Sequence, residues 1–430
     1  MSQRPNRRLF LQTTAAAGAA ATFGGFWTFP SRAARRLAND KLNVAMVGTS
    51  NQAEFTIDNV QHENLVAICD IDDLLLGKCG ERFPKAQKFT DFRKLMDEES
   101  IDAVCVCTPD HIHAPATLLA LKHGKHVYCE KPLTHTIFEA RTVSQTAAAT
   151  KQATQMGTQI HATDNYRRVV EIIQSGAIGK VTEVDVWVGK GWGGGDRPTD
   201  RPPVPKSLHW DLWLGPAPER PYSPIYLPAN WRRWWDFGGG TLADMGCHYI
   251  DLVFWSLKLH APTTCEAFGP EPHPETAPMG LKVVWEFPAR DELPAVTMSW
   301  RDGDQTPTEV RGHKVPGAGI MFVGDKGLMF ADYGGYKLYP EDQFKGFTAP
   351  PQSIPASIGH HAEWLQACRT GEPTTCNFGY AGPLTETVLL GNVAYRSGQK
   401  LEWDSENMKI PNAPEAEKFL RREYRSGWTL

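Results

Sequence analysis

Hydrophobic and polar positions divide the chain into two textures. Between residues 41 and 158, short apolar runs alternate with stretches of helical periodicity. The runs at 42–47, 65–68, 103–107 and 125–129 predict strands. A turn and a helix follow the first run as far as residue 60, and residues 114–122 predict a helix closed by Gly124. Strands that are apolar on both faces are covered on both sides. Their alternation with helices predicts a parallel, doubly wound sheet of the Rossmann type. Beyond residue 157 the strands lengthen, at 184–188, 281–287 and 296–300. Residues 320–323 and 328–330 read as a hairpin around Gly324-Asp325-Lys326-Gly327. Helices are predicted at 166–175, 241–257 and 361–368. This second pattern predicts an α/β domain built on a large mixed, mostly antiparallel sheet. The expected division is residues 1–38, then 39–158 as the Rossmann domain, then 159–430 as the domain for substrate and subunit contacts. Residues 189–240 are rich in Gly, Pro and Trp, too aromatic for disorder and too long for a passive connection.

The 430 residues exceed what one core usually serves. A formal net charge of −4 gives no electrostatic footprint for nucleic acid. The first 38 residues change the picture most. They hold six arginines and no acid. The run Asn6-Arg7-Arg8-Leu9-Phe10-Leu11 leads into a weakly apolar, Ala/Gly-rich stretch that ends near Pro30. This resembles a twin-arginine export signal, which implies an export-machinery partner and a periplasmic destination. The alternative is an uncleaved anchor, against which the small residues argue. Without residues 1–38 the chain carries 39 basic and 49 acidic residues, a net charge of −10. The nine cysteines are scattered and odd in number, so they form no disulfide framework. Cys105 and Cys107 share a strand face, but no second ligand pair matches them, and no metal site is expected.

The first strand runs into Gly48-Thr49-Ser50-Asn51-Gln52-Ala53, where a dinucleotide-binding turn belongs. Only the first glycine of G-x-G-x-x-G survives. Ala53 is acceptable at the third position, but Ser50 at the second crowds a pyrophosphate. Asp70 ends the second strand, where an acid would meet the adenosine ribose. No basic residue follows it at once, which favours NAD over NADP. An ordinary βαβ turn without cofactor is the alternative. Glu130-Lys131-Pro132 follows another strand, where a lysine can bring positive charge to a substrate hydroxyl. Asp244 and His248 stand one helical turn apart, so carboxylate and imidazole share a face. Oxidising a secondary alcohol needs a base for the hydroxyl proton, and histidine suits that near neutral pH.

The ordered set Thr108-Pro109-Asp110-His111-Ile112-His113, Gly124-Lys125-His126-Val127, Glu130-Lys131-Pro132 and Asp244-x-x-x-His248 resembles the Gfo/Idh/MocA oxidoreductase family over roughly residues 41–400. The resemblance implies that Lys131, Asp244 and His248 form the catalytic set. His248 would then exchange the proton, Lys131 hold the reacting hydroxyl, and Asp244 orient substrate or imidazole. It further implies an NAD cleft with Gly48, Ser50, Asn51, Asp70, Thr108, Pro109, His113, Glu130 and Lys131, and a homo-oligomer. The glycine loop departs from the family pattern at the pyrophosphate turn, where Ser50 stands in place of the second glycine.

Seven of the fourteen tryptophans fall in residues 187–235. Aromatic faces suit the apolar faces of sugars, so a carbohydrate substrate is expected, with loop packing as the alternative. Gln159, Arg167, Trp231 and Trp235 are the candidate substrate contacts. Two functions follow. One is an NAD-dependent oxidoreductase for a hydroxyl of a sugar, glycoside or cyclitol. Export would favour a cofactor that stays bound and is recycled in place, by internal oxidoreduction, epimerisation or glycoside cleavage. The other is a carbohydrate-binding protein that has lost its cofactor.

Overall fold

The computed structural model describes residues 41–430. The export-signal reading of residues 1–38 lies outside them. The first sheet has six strands: β1 (Asn43–Val47), β2 (Asn64–Cys69), β3 (Gln87–Phe89), β4 (Ala103–Val106), β5 (His126–Glu130) and β6 (Thr154–Gly157). All pair in parallel, in the order β3-β2-β1-β4-β5-β6. Helices α1 (Gln52–Val60), α2 (Asp73–Arg82), α3 (Phe92–Met96), α4 (Asp110–Lys122) and α5 (Ile137–Thr150) connect them. β4 is buried along its whole length, as its unbroken apolar run requires. α4 begins four residues earlier than its periodicity suggests. Pro109 sits at the N-cap and Asp110 opens the first turn, where a carboxylate meets the positive end of the helix.

After α6 (Asp164–Gln174) the chain builds an eight-stranded sheet. In chain order its elements are β7 (Val181–Val188), α7 (Trp210–Leu214), α8 (Gly240–Leu257), β8 (Thr264–Phe268), β9 (Lys282–Phe287) and β10 (Val296–Asp302). The small pair β11 (Glu309–Val310) and β12 (His313–Lys314) stands apart. Then come β13 (Ala318–Gly324), β14 (Gly327–Ala331), β15 (Tyr336–Tyr339), α9 (His360–Thr370), α10 (Phe378–Ser397) and β16 (Leu401–Glu402). The order is β15-β14-β13-β7-β10-β9-β8-β16, antiparallel except where β7 and β10 pair in parallel. The expected hairpin is β13–β14.

Two helices tie the halves together. α10 is buried on nearly every side and packs against α5 as well as α8. Gly382 allows that approach, since a Cβ there would lie 2.8 Å from Ser144 Oγ. Arg141 of α5 closes the contact with two hydrogen bonds of 2.7 Å to Glu386. α9 returns to the first sheet beside α1 and β6, and Trp364 and Leu365 join the core of Val44, Met46 and Cys105. No helix among the described residues is long and apolar enough to cross a membrane.

Trp364 is fully buried in the first sheet's core although it comes from α9. Trp364→Ala should therefore cost about 3–5 kcal/mol of stability, measured by urea denaturation against the wild-type chain.

Candidate active site

The carboxyl ends of the parallel strands carry the loops that bound a cleft of about 500 Å³. Ligands bind at this edge in open α/β sheets. Gly48 follows β1 with φ +92°, and a Cβ there would lie 2.4 Å from the Cys107 carbonyl oxygen. The surviving glycine is thus the one the backbone requires. Asn51, also in the left-handed region, caps α1 without a side-chain bond, and the Ala53 and Glu54 amides donate to the Ser50 and Asn51 carbonyls at 3.1 and 3.0 Å, so what the helix start offers an anion is the positive end of its dipole. Ser50 and Asn51 line the cleft with Thr108 and Pro109, and the Thr108 hydroxyl is buried without a partner. A dinucleotide fits this set: a helix N-terminus for its pyrophosphate and an unspent hydroxyl deeper in. Asp70 lines the cleft too, but most of its carboxylate is used from below. Oδ2 accepts from Thr49 N at 2.9 Å and Thr49 Oγ1 at 2.7 Å, and Oδ1 accepts from Asp72 N at 3.1 Å. It organises the loop and keeps one edge for a ribose.

Beside the cleft, Lys131 after β5 reaches Asp244 on α8. Its Nζ donates to Asp244 Oδ1 at 2.7 Å and to the Asp244 carbonyl at 2.6 Å. Arg232 Nε donates to the same Oδ1 at 2.8 Å, and Trp192 Nε1 to Oδ2 at 3.0 Å. Burial alone would raise the Asp244 pKa. Lys131 and Arg232 outweigh it and hold the carboxylate well below its usual range. Asp110 also faces this cluster. Its burial, opposed by Arg232 and Lys131, raises it to about 7.

His248 lies one turn further along α8. Its Nδ1 is 3.2 Å from Thr158 Oγ1, and that hydroxyl donates to the Cys247 carbonyl at 3.2 Å. With its one proton given away, the threonine oxygen can only accept from Nδ1–H, which leaves Nε2 as the free base. Burial, then Lys131, lower the imidazole to about 3, so it is unprotonated at neutral pH.

Other expected residues are occupied elsewhere. His113 is buried, with Nδ1 2.7 Å from the Pro132 carbonyl and Nε2 2.8 Å from that of Thr108. It braces two loops instead of facing the cleft. Glu130 lies beneath the cleft, held by Thr56 Oγ1 at 3.3 Å and by Gln159 Nε2 at 3.1 Å, so Gln159 serves Glu130. Arg167 donates to the carbonyls of His161 and Pro355 and joins α6 to a surface segment, away from the site. Trp235 is core, its Nε1 on the His273 carbonyl and Arg396 over its face. Trp231 does line the cleft, with the Arg232 guanidinium 4.3 Å from its ring centre. Sequence reasoning passed over Arg232 and Thr158, and offered Trp192 only as one of the seven tryptophans of residues 187–235. The arginine follows one of the tryptophans already singled out, but nothing in the order of residues shows that it folds back onto Asp244.

The model for the oxidoreductase family with an NAD-binding Rossmann fold matches residues 42–158, and that for the family's C-terminal alpha/beta domain matches 163–291. Together they cover more than half of the chain. Inositol 2-dehydrogenase of Rubrobacter xylanophilus is 31% identical over 146 residues, 33% of this chain and 42% of that protein. Levoglucosan dehydrogenase of Pseudarthrobacter phenanthrenivorans is 26% identical over 193 residues, 43% of this chain and 40% of that protein. The chain thus spans about two fifths of the length of the curated relatives it matches. The fold is shared with GenD2 from gentamicin A biosynthesis, solved with NAD, at TM-score 0.60 and 18% identity over 86% of this chain and 98% of that one.

Burial raises Glu130 from 4.5 to about 7 against the pull of Lys131. A carboxyl raised by folding contributes stability below its unfolded pKa, and loses it as pH rises through the folded one. Melting temperature should therefore fall more between about pH 5 and about pH 8 in the nucleotide-free wild type than in Glu130→Gln. Parallel curves would show that Glu130 does not titrate there.

Proposed function

The chain belongs to the Gfo/Idh/MocA oxidoreductase family, and on that premise we propose that it oxidises a hydroxyl of a sugar, glycoside or cyclitol with NAD. One observation carries the reading: Lys131, Asp244 and the free Nε2 of His248 converge beside a cleft that fits a dinucleotide. Bound NAD would supply the hydride acceptor. The chain's own residues handle the proton and the charge. Lys131 has one ammonium proton left after its two bonds to Asp244, and that proton is available to the reacting oxygen. A cation there favours the deprotonated hydroxyl. His248 Nε2 accepts the proton, because burial keeps the ring neutral and Thr158 keeps the proton of that neutral ring on Nδ1. Asp244, ionised far into acid, balances Lys131 and steadies the imidazolium once it forms. Thr158 is a positioning residue, acting only through His248.

The names of the relatives support the substrate class, one being an inositol dehydrogenase and another a levoglucosan dehydrogenase. The single edge of Asp70 left toward the cleft supports NAD over NADP, since a 2′-phosphate would meet a negative charge. The arginine-paired leader supports export, and with it a cofactor recycled in place. The net reaction would then be an internal oxidoreduction, an epimerisation or a glycoside cleavage by way of oxidation.

The test is single-turnover reduction of bound NAD, followed near 340 nm with a panel of sugars, glycosides and cyclitols. His248→Ala should slow it about 10²–10⁴-fold while nucleotide stays bound. Thr158→Val should slow it less and change its pH profile, since the hydroxyl that selects the tautomer is gone. A His248→Ala protein as fast as wild type on every active substrate would place the base elsewhere. Export has its own check. Arg7→Lys with Arg8→Lys should leave the protein inside the cell, and unchanged export would mean that another signal is read.

A further inference from the structure

The cleft has a second wall that the Rossmann domain does not supply. The Trp-rich stretch comes back across the first sheet as a strap over residues 207–232. It docks on the loop after β2, beside Asp70. Asp72 and Leu208 form an antiparallel bridge, in which Asp73 N donates to the Ser207 carbonyl and His209 N to that of Ile71, both at 2.8 Å. The His209 ring adds a contact of 3.0 Å to Asp73. Further along, the Trp213 carbonyl meets His111 Nε2 at 2.8 Å on α4. Trp213, Tyr226, Trp234 and Phe237 pack the strap into a small core of its own.

The C-terminal tail clamps the strap from outside. Arg425 donates to the Gly215 carbonyl and to Asp211 Oδ1, each at 2.6 Å. Trp428 lies against Arg93, whose guanidinium is 4.4 Å from its ring centre. As a result, Leu208, Leu212, Tyr222, Leu227, Trp231 and Trp428 line the cleft together with Gly48, Asp70 and Thr108.

Resting on the oxidoreductase reading, we infer that the dinucleotide site is bipartite: the Rossmann loops hold one side, and the strap and tail close over the adenosine half. An apolar aromatic wall suits an adenine ring, and it also bars the way out. The nucleotide can leave only when the 71–73 contact with the strap opens, so it stays through successive turnovers. The strap supplies by enclosure what Ser50 takes away at the pyrophosphate turn.

The full chain, loaded with NADH and chased with excess NAD, gives the release rate from the loss of NADH fluorescence. His209→Pro removes the backbone donor to Ile71, and the φ of −83° at this position suits proline. Arg425→Ala releases the tail. Each should speed release at least about tenfold, and the pair more than either alone. A second measurement needs no variant. Lys206 is exposed at the edge of the docked strap, and Lys345 is exposed far from it in sequence. Bound NADH should slow tryptic cleavage after Lys206 and leave cleavage after Lys345 unchanged. Release at the wild-type rate from folded variants, or no protection of Lys206 with nucleotide bound, overturns the strap and leaves the oxidoreductase reading standing. A wild-type chain that binds neither NAD nor NADH overturns both.

Discussion

Lys131 and Asp244 stand 113 positions apart in the chain and 2.7 Å apart in space. One follows directly on a strand of the first sheet, and the other sits in the first half of a helix that packs against the second half of the chain. Both side chains are largely buried, so each charge depends on the other for its solvation. Removing one would leave the other without compensation, which in buried pairs costs several kcal/mol. The pair therefore fixes where α8 lies relative to the end of β5. Everything else at the site takes its position from that. His248 is one turn along the same helix, and Arg232 reaches the same carboxylate oxygen from the strap. The start of α4 meets the strap through His111, whose Nε2 lies 2.8 Å from the Trp213 carbonyl.

The charges around Asp244 also sort the titratable groups into roles. Two cations on one carboxylate keep it ionised, and the same lysine helps keep the nearby imidazole neutral. Asp110 and Glu130, buried with weaker compensation, are both drawn toward neutrality. Carboxylates within one small region thus divide into a permanent anion and two groups poised near physiological pH. Divergent environments of this kind are the usual physical mark of a site that moves protons.

The parallel character of the first sheet was legible because parallel strands buried on both faces leave unbroken apolar runs, as in 103–107. α10 was not legible. Buried on nearly all sides, it has no polar stripe to set a period, and Gly379, Gly382, Pro383 and Gly391 interrupt it. Asp244 and His248 could be found because helical spacing is local and four residues decide it. Arg232, Thr158 and Trp192 could not, because their roles arise from chain segments that meet only after folding. Trp231 and Trp235, four residues apart in the same aromatic stretch, show the limit of reading by composition: one faces the cleft and the other is core. Arg167 looked available because it follows Tyr166 at a helix start, yet its Nε and Nη1 donate to the Pro355 and His161 carbonyls away from the site.

α9 has a consequence in time as well as in space. β6 is complete at Gly157, but the helix that covers that side of the sheet begins only at His360, roughly 200 residues later. At a synthesis rate of about 5–20 residues per second, the apolar surface around Val44, Met46 and Cys105 waits for tens of seconds before Trp364 and Leu365 emerge. During that interval the nascent first domain is an incomplete body with an open flank. Its core cannot close until Trp364 and Leu365 have been made, so the last fifth of the chain decides when the first sheet becomes safe from aggregation.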